Sequence, residues 1–348
     1  MKIRRHSRTW LLAFIPLILA LGGVASTPRA FAGRSDAGMP TIGFLQIDLT
    51  NPFHIDQGRG AVEAGRRFGY NLLDISAHGS VNEQIQEFQT LINQHVAAIM
   101  VNPIDISAFG PSLDKARAAH IPVLVLYSGS PKATMNSGFD EFQTGQMVGK
   151  YSIQLLTKKY GKPQGQVAVL QGLLGQGLNA DRTGGFTSVM AKYPGIKVVS
   201  QEPTDWLPDK AAAAMQDWLV RYPKLAMVYG LSDTLTVPAI NVAARAQKAG
   251  GIIFTSVDGD PIGLTAIQQG KMACTAMYAP IYAGFRFGEM AVNLAKHKAE
   301  PKTENLNSFL VTPANVNAAA KAEAAMSNSI KTFGFDKTLA QLVANYSH

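Results

Sequence analysis

From residue 41 onward, short apolar runs alternate with longer amphipathic segments. Thr41–Gln46, Asn71–Ser76, Ala97–Val101 and Pro122–Leu126 have the length and aliphatic content of strands. Helical patterns cover 52–68, 81–94 and 107–119 between them. The first helix opens at Asn51-Pro52: an Asn side chain accepts from free N–H groups, and Pro at the first helical position loses no hydrogen bond. The strands are apolar on both faces, which predicts a parallel sheet covered by helices on both sides.

The pattern then restarts. Gln166–Gln171, Ile196–Gln201, Leu225–Gly230, Ile252–Val257 and Ala273–Met277 read as strands. Helical segments near 143–160, 178–193, 209–221, 233–249, 260–269 and 281–297 surround them. An Ala-rich helix (Ala314–Met326) and a final short helix close the chain. No low-complexity tether separates the two α/β units, so several short crossovers join them, the kind of hinge that permits domain closure.

The N-terminus changes the setting. Lys2, Arg4, Arg5 and Arg8 precede an apolar run from Trp10 to Leu21, and Ala30-Phe31-Ala32 is a small-x-small pattern. This predicts a secretory signal peptide over residues 1–32, removed from the folded protein. The apolar run falls short of the roughly 20 residues that span a bilayer. The cleaved chain is therefore expected to be periplasmic, with no stable membrane insertion. Those 32 residues carry five of the 32 basic residues and no acid, leaving 27 basic against 24 acidic residues. So small an excess makes no case for nucleic acid. A single cysteine, Cys274, excludes an intrachain disulfide.

A set of ordered markers then suggests a family. Asn51-Pro52-Phe53 opens the first helix and Asn102-Pro103-x-Asp105 follows the third strand. Ile121-Pro122-Val123, Asp140, Leu170-Gln171-Gly172, Asp181-Arg182-x-x-Gly185-Phe186, Ser232-Asp233 and Val257-Asp258-Gly259 come in turn. With these markers the chain, over about residues 40–311, resembles the periplasmic sugar-binding proteins of ABC importers, especially the ribose-binding-protein-like group. The resemblance implies two Rossmann-like lobes with parallel sheets, joined by crossovers near Phe139, Met277 and Leu310. It assigns 40–139 plus 279–310 to one lobe and 140–278 plus 311–348 to the other. It places a ligand cleft between them, where open α/β sheets bind ligands: at the carboxyl ends of strands.

Phe53 and Trp206 match positions where the family stacks aromatic rings on a sugar, whose C–H faces are apolar. Asn51, Asn102 and Asp258 are expected to meet hydroxyls, for which planar amides and carboxylates offer fixed geometry. His54 and Tyr278 fall on contact positions with a changed residue type. Tyr127, Asn179 and Ser232 stand where ribose binders carry other polar groups, and all three are taken as ligand contacts. Asp140 is read as a hinge or cap, Asp233 as a helix cap, and Arg182 as a structural brace. Tyr127-Ser128 and Ala180 replace an acid–Arg pair and a second Arg, so the paired clamps on ring hydroxyls are missing and ribose itself does not carry over. A smaller polyol or a less polar sugar derivative suits that change.

The implied partners are a small sugar or polyol and an ABC permease with its ATPase. A chemoreceptor or sensor kinase reading the closed form is the alternative use of the same event. The rival classes are poorer fits. Gly175-x-Gly177-x-x-Ala180 matches a loosened dinucleotide fingerprint, but a tight strand-to-helix turn needs the same glycines, and an exported chain rarely meets NAD. The seven His are scattered without metal-ligand spacing, and no catalytic signature stands beside them. A sugar-responsive transcription regulator would need a DNA-binding helix pair where the signal peptide stands. No enzyme activity, metal or cofactor is expected.

Overall fold

The computed structural model of the protein describes residues 38–328 and 339–344. The expected signal peptide lies outside them. The first unit runs β1 (Thr41–Gln46), α1 (Pro52–Phe68), β2 (Asn71–Ser76), α2 (Val81–Asn93), β3 (Ala98–Val101), α3 (Gly110–Ala118), β4 (Val123–Leu126) and β5 (Met135–Phe139). The second runs α4 (Glu141–Tyr160), β6 (Gly165–Gln171), α5 (Gly177–Met190), β7 (Ile196–Pro203), α6 (Pro208–Arg221), β8 (Leu225–Gly230), α7 (Asp233–Arg245), β9 (Ile253–Asp258), α8 (Pro261–Gln268) and β10 (Cys274–Met277). Then come α9 (Pro280–Ala295), β11 (Thr303–Leu306), β12 (Phe309–Val311), α10 (Val316–Asn328) and α11 (Leu339–Ala344).

Two six-stranded sheets result, ordered β11-β5-β4-β3-β1-β2 and β12-β10-β9-β8-β6-β7. Every pairing is parallel except β10 with β12. The chain passes between the sheets three times: at β5–α4, at β10–α9 and at β11–β12. The third passage therefore falls at Asn307-Ser308, and Phe309–Val311 pairs with the second sheet, where the sequence placed residues up to 310 in the first lobe.

Three strands were not anticipated: β5, β11 and β12. Met135–Phe139 contains Asn136, Ser137 and Gly138, polar for a central strand. Each is accommodated by a specific tertiary contact. Asn136 Oδ1 accepts from Ser130 N–H at 2.8 Å, Ser137 Oγ donates to Glu304 O at 2.5 Å, and Gly138 lies so close to Tyr127 that a Cβ would sit 3.1 Å from its backbone nitrogen.

Each lobe is built on a close helix pair. A Cβ on Gly60 of α1 would lie 2.0 Å from Ile281 O of α9, and one on Gly145 of α4 would lie 2.2 Å from Arg182 O of α5. The missing side chains let the backbones approach. The apolar strand residues fill both cores, Phe44, Met100 and Leu124 on one side and Val167, Met227 and Val257 on the other, all fully buried. This packing aims the carboxyl ends of both sheets at a shared cleft.

Candidate functional site

The carboxyl ends deliver the side chains. Ile47 follows β1, Asn102 follows β3, Tyr127 follows β4, Ser232 follows β8, and Asp258 ends β9. Asn51, Phe53 and His54 come from the start of α1, and Gln176, Leu178 and Arg182 from the start of α5. Trp206 stands in the turn between β7 and α6. These residues line one recess with about 440 Å³ of atom-free space, its mouth included. A roomier recess opens at the strand starts of the second sheet, beside Gly165, Leu225 and Ile252. It lies at the opposite end of the sheet from the edge where α/β folds hold ligands.

Three wall residues have left-handed backbone: Tyr127 (φ 61°), Trp206 (φ 61°) and Asp258 (φ 113°). Bulky or branched residues rarely adopt such angles, and strain of this kind gathers at ligand sites. All three side chains line the recess.

The wall combines flat apolar faces with polar groups in need of partners. Phe53, Trp206 and Tyr127 supply rings. Asn102 is 3% exposed, and its Oδ1 accepts no hydrogen bond. Gln176 is equally buried; its Oε1 accepts from Trp206 Nε1 at 2.7 Å, while its Nε2 has no acceptor. A buried polar group without a partner costs on the order of 1–3 kcal/mol, so both groups favour a polar ligand. Asn51 caps α1, accepting from Phe53 N–H at 3.0 Å, and lines the recess as well. His54 Nδ1 lies 3.5 Å from Asp48 Oδ2. Burial alone would raise the Asp48 acid, but its contacts with His54 hold it well below the usual carboxylate range.

Asp258 is 6% exposed. Burial pushes its carboxyl up, to about 6, against the opposing pull of Arg182 and a Ser232 hydrogen bond. Arg182 Nη1 stands 3.5 Å from Asp258 Oδ1. An acid–guanidinium pair thus faces the recess after all, supplied by the residue that the sequence reading had made a brace. Arg182 also braces: it donates to Glu141 Oε2 at 2.6 Å, to Glu141 Oε1 at 3.0 Å and to Leu231 O at 2.5 Å.

Two residues expected to touch ligand are placed elsewhere. Asn179 does not line the recess; its Oδ1 accepts from Gly172 N–H at 2.8 Å and holds the turn before α5. Tyr278 is wholly buried, stacked on Phe139 with ring centroids 3.9 Å apart, and its hydroxyl donates to Glu141. Asp233 is not the cap of α7. Ser232 caps it, accepting from Thr234 N–H at 3.2 Å, while Asp233 accepts from Gly259 N–H, Asp260 N–H and Thr275 Oγ1, each at 2.9 Å. It thereby fixes the loop that carries Asp258. Asp140 caps α4 at the first passage between sheets, accepting from Gln143 N–H at 2.9 Å.

Ile47, Gln176 and Leu178 line the recess without having been anticipated. Gln176 sits inside the glycine-rich turn that drew notice for its glycines, and nothing in its type or spacing singles it out.

Residues 42–299 match the family model described as periplasmic binding protein domain. The chain belongs to this family. Among its relatives, the ribose import binding protein of Salmonella typhimurium is 28% identical over 258 residues, covering 74% of this chain and 85% of the relative. The xylitol-binding protein of Mycolicibacterium smegmatis is 28% identical over 279 residues, 78% of each. The crystal structure of an ABC transporter solute-binding protein from Mycobacterium smegmatis with bound glycerol superposes with a TM-score of 0.76 at 28% identity, covering 81% of this chain and 96% of that one. Two of these relatives are named for the solutes they bind, ribose and xylitol, and the third is a solute-binding protein seen with glycerol. Among the described residues no helix is long and apolar enough to cross a membrane, and no group of three or more His, Cys, Asp or Glu could hold a metal ion.

Proposed function

We propose that this chain is the exported solute-binding component of an ABC importer, and that it captures a neutral sugar or polyol between its lobes and presents it to the permease. One observation carries the reading: the strand ends of both sheets converge on a recess that pairs aromatic faces (Phe53, Trp206) with buried amide groups lacking partners (Asn102 Oδ1, Gln176 Nε2). A polyhydroxylated ligand fits both halves of that wall. Its C–H faces cover the rings, and its hydroxyls both donate and accept. The names of the relatives support the class, since ribose, xylitol and glycerol are neutral polyhydroxy compounds.

The cycle follows from the topology. Phe53, His54, Asn102 and Tyr127 belong to one lobe, and Gln176, Arg182, Trp206, Ser232 and Asp258 to the other. Only the closed arrangement makes both sets of contacts, so ligand shifts the population toward it. No bond is made or broken, and the closed form is what the permease reads. Residues 1–32 direct the chain to the periplasm.

A thermal-shift panel of pentoses, hexoses, tetritols, pentitols and inositols against the mature chain tests the class. The protein is first unfolded and refolded to remove any carried ligand. Binding to the folded state raises the melting temperature by mass action. A marked rise with one solute is expected. No rise with any would overturn the carbohydrate reading.

A further inference from the structure

The three passages between the sheets meet in one buried polar cluster. Glu141 begins α4 just after the first passage, Tyr278 lies on the second, and Ser308 on the third. The Tyr278 hydroxyl donates to Glu141 Oε2, and Thr144 stands one turn further along α4. Thr144 Oγ1 in turn meets Ser308 Oγ at 2.8 Å. Glu141, Thr144 and Tyr278 are each at least nine-tenths buried.

The same cluster reaches the recess. Glu141 holds Arg182 through both carboxylate oxygens, and Arg182 faces Asp258 in the wall. The Arg182 guanidinium also lies 5.1 Å from the centre of the Tyr278 ring. That ring also meets Phe53, a wall residue of the first lobe, edge to face with centroids 6.4 Å apart. Tyr278 therefore touches a wall residue from each lobe without lining the recess itself.

We propose that Glu141 is a positioning residue for ligand capture: through Arg182 and Tyr278 it couples the ligand-facing wall to the chain passages about which the lobes move. The proposal rests on reading the recess as the ligand site. Ligand that engages Asp258 and Arg182 fixes the guanidinium; the guanidinium fixes the Glu141 carboxylate; and the carboxylate fixes the tyrosine on the second passage. A buried ion pair of this kind is weak evidence for stability, but Glu141 adds to it the Tyr278 hydrogen bond and so ties the recess wall to the second passage. Burial and the adjacent Glu141 push the Tyr278 hydroxyl pKa well above the usual phenol range, which favours the protonated, donating form.

Tyr278→Phe removes one hydroxyl, keeps the ring on Phe139 and Phe53, and leaves the Glu141–Arg182 pair intact. Glu141→Gln keeps the shape and removes the charge. Spin labels at Lys115→Cys and Lys210→Cys, exposed positions on α3 and α6, one on each lobe, report the lobe separation by pulsed dipolar spectroscopy. D-ribose and xylitol serve as probes, with affinities read by calorimetry. Tyr278→Phe is expected to shift the lobe-distance distribution of the unliganded protein and to weaken the bound probe about tenfold, the loss of one hydrogen bond to a charged group. The double variant should bind no worse than Glu141→Gln alone, since both changes cut the same link. A distance distribution and affinity equal to those of the unsubstituted protein in Tyr278→Phe would overturn the proposal, as would effects of the two substitutions that simply multiply. If neither probe binds the unsubstituted protein, the choice of ligand fails, and the distance distributions without ligand still decide the role of Glu141.

Discussion

Arg182 Nη1 stands 3.5 Å from Asp258 Oδ1 inside the wall, the first carried by α5 and the second by the end of β9. Their pairing is incomplete: the guanidinium gives its better hydrogen bonds to Glu141 and Leu231 O, which leaves the Asp258 carboxylate able to accept from a ligand hydroxyl. Burial raises that carboxyl to about 6. As pH falls through 6, Asp258 takes up a proton and loses its charge as an acceptor. Ligand affinity should therefore weaken several-fold between pH 7.5 and pH 5. In Asp258→Asn affinity should be lower at neutral pH and flat across that range. Calorimetric titrations at a series of pH values check both statements.

Asn102 offers the cleanest test of a single contact. Its Oδ1 is buried without a partner. Asn102→Ala removes an acceptor that the folded protein does not use internally, so the melting temperature should change little. Affinity should fall about tenfold, the worth of one to two hydrogen bonds. Phe53→Ala should cost more in affinity, because it strips an apolar face from the site, and should also lower stability, since Phe53 is only 9% exposed.

The seam between α1 and α10 makes stability depend on pH. Glu323 is buried with neither carboxylate oxygen hydrogen-bonded, and burial together with nearby Asp56 raises it to about 8, against a weaker pull from Arg59. Arg59 Nη2 donates to Ser327 O at 3.1 Å across the same seam. Folded Glu323 holds its proton where the unfolded chain has lost it. Its contribution is thus fully present below about pH 4.5 and is lost as pH rises toward 8. Glu323→Gln carries the neutral form permanently. Its melting temperature should match that of the unsubstituted protein near pH 5 and exceed it by several degrees near pH 8.5, as calorimetric scans would show.

Gly60→Ala places a Cβ 2.0 Å from Ile281 O, a backbone atom that cannot rotate away. Overpacking of this kind costs typically 1–3 kcal/mol. Chemical denaturation should show a lower midpoint. Gly145→Ala makes the equivalent intrusion, 2.2 Å from Arg182 O, beside the cluster that joins the passages. It should lower ligand affinity as well as stability, which Gly60→Ala should not do to the same degree.

Much of the fold was legible because the apolar strands repeat at intervals that only a parallel α/β arrangement satisfies. What escaped was set by distant contacts. Met135–Phe139 reads as polar until Ser130 and Glu304 arrive to satisfy Asn136 and Ser137. The site was legible where residue type and strand end coincide, as at Asn102 and Asp258. Tyr278 was misplaced because its position on the chain is the expected one, while its hydroxyl turns to Glu141, a residue 137 positions away that no local pattern marks. Trp206 and Tyr127 reach the recess through left-handed backbone, which side-chain periodicity does not register.

The recess between the two sheets is proposed to hold one neutral polyhydroxy ligand. Calorimetric titration of the refolded, ligand-free mature chain with the solute that raises its melting temperature tests this most directly, run beside Asn102→Ala. Saturable binding of one solute per chain is expected, weakened about tenfold in the variant. Binding of equal strength in both proteins would place the ligand elsewhere and contradict the proposal.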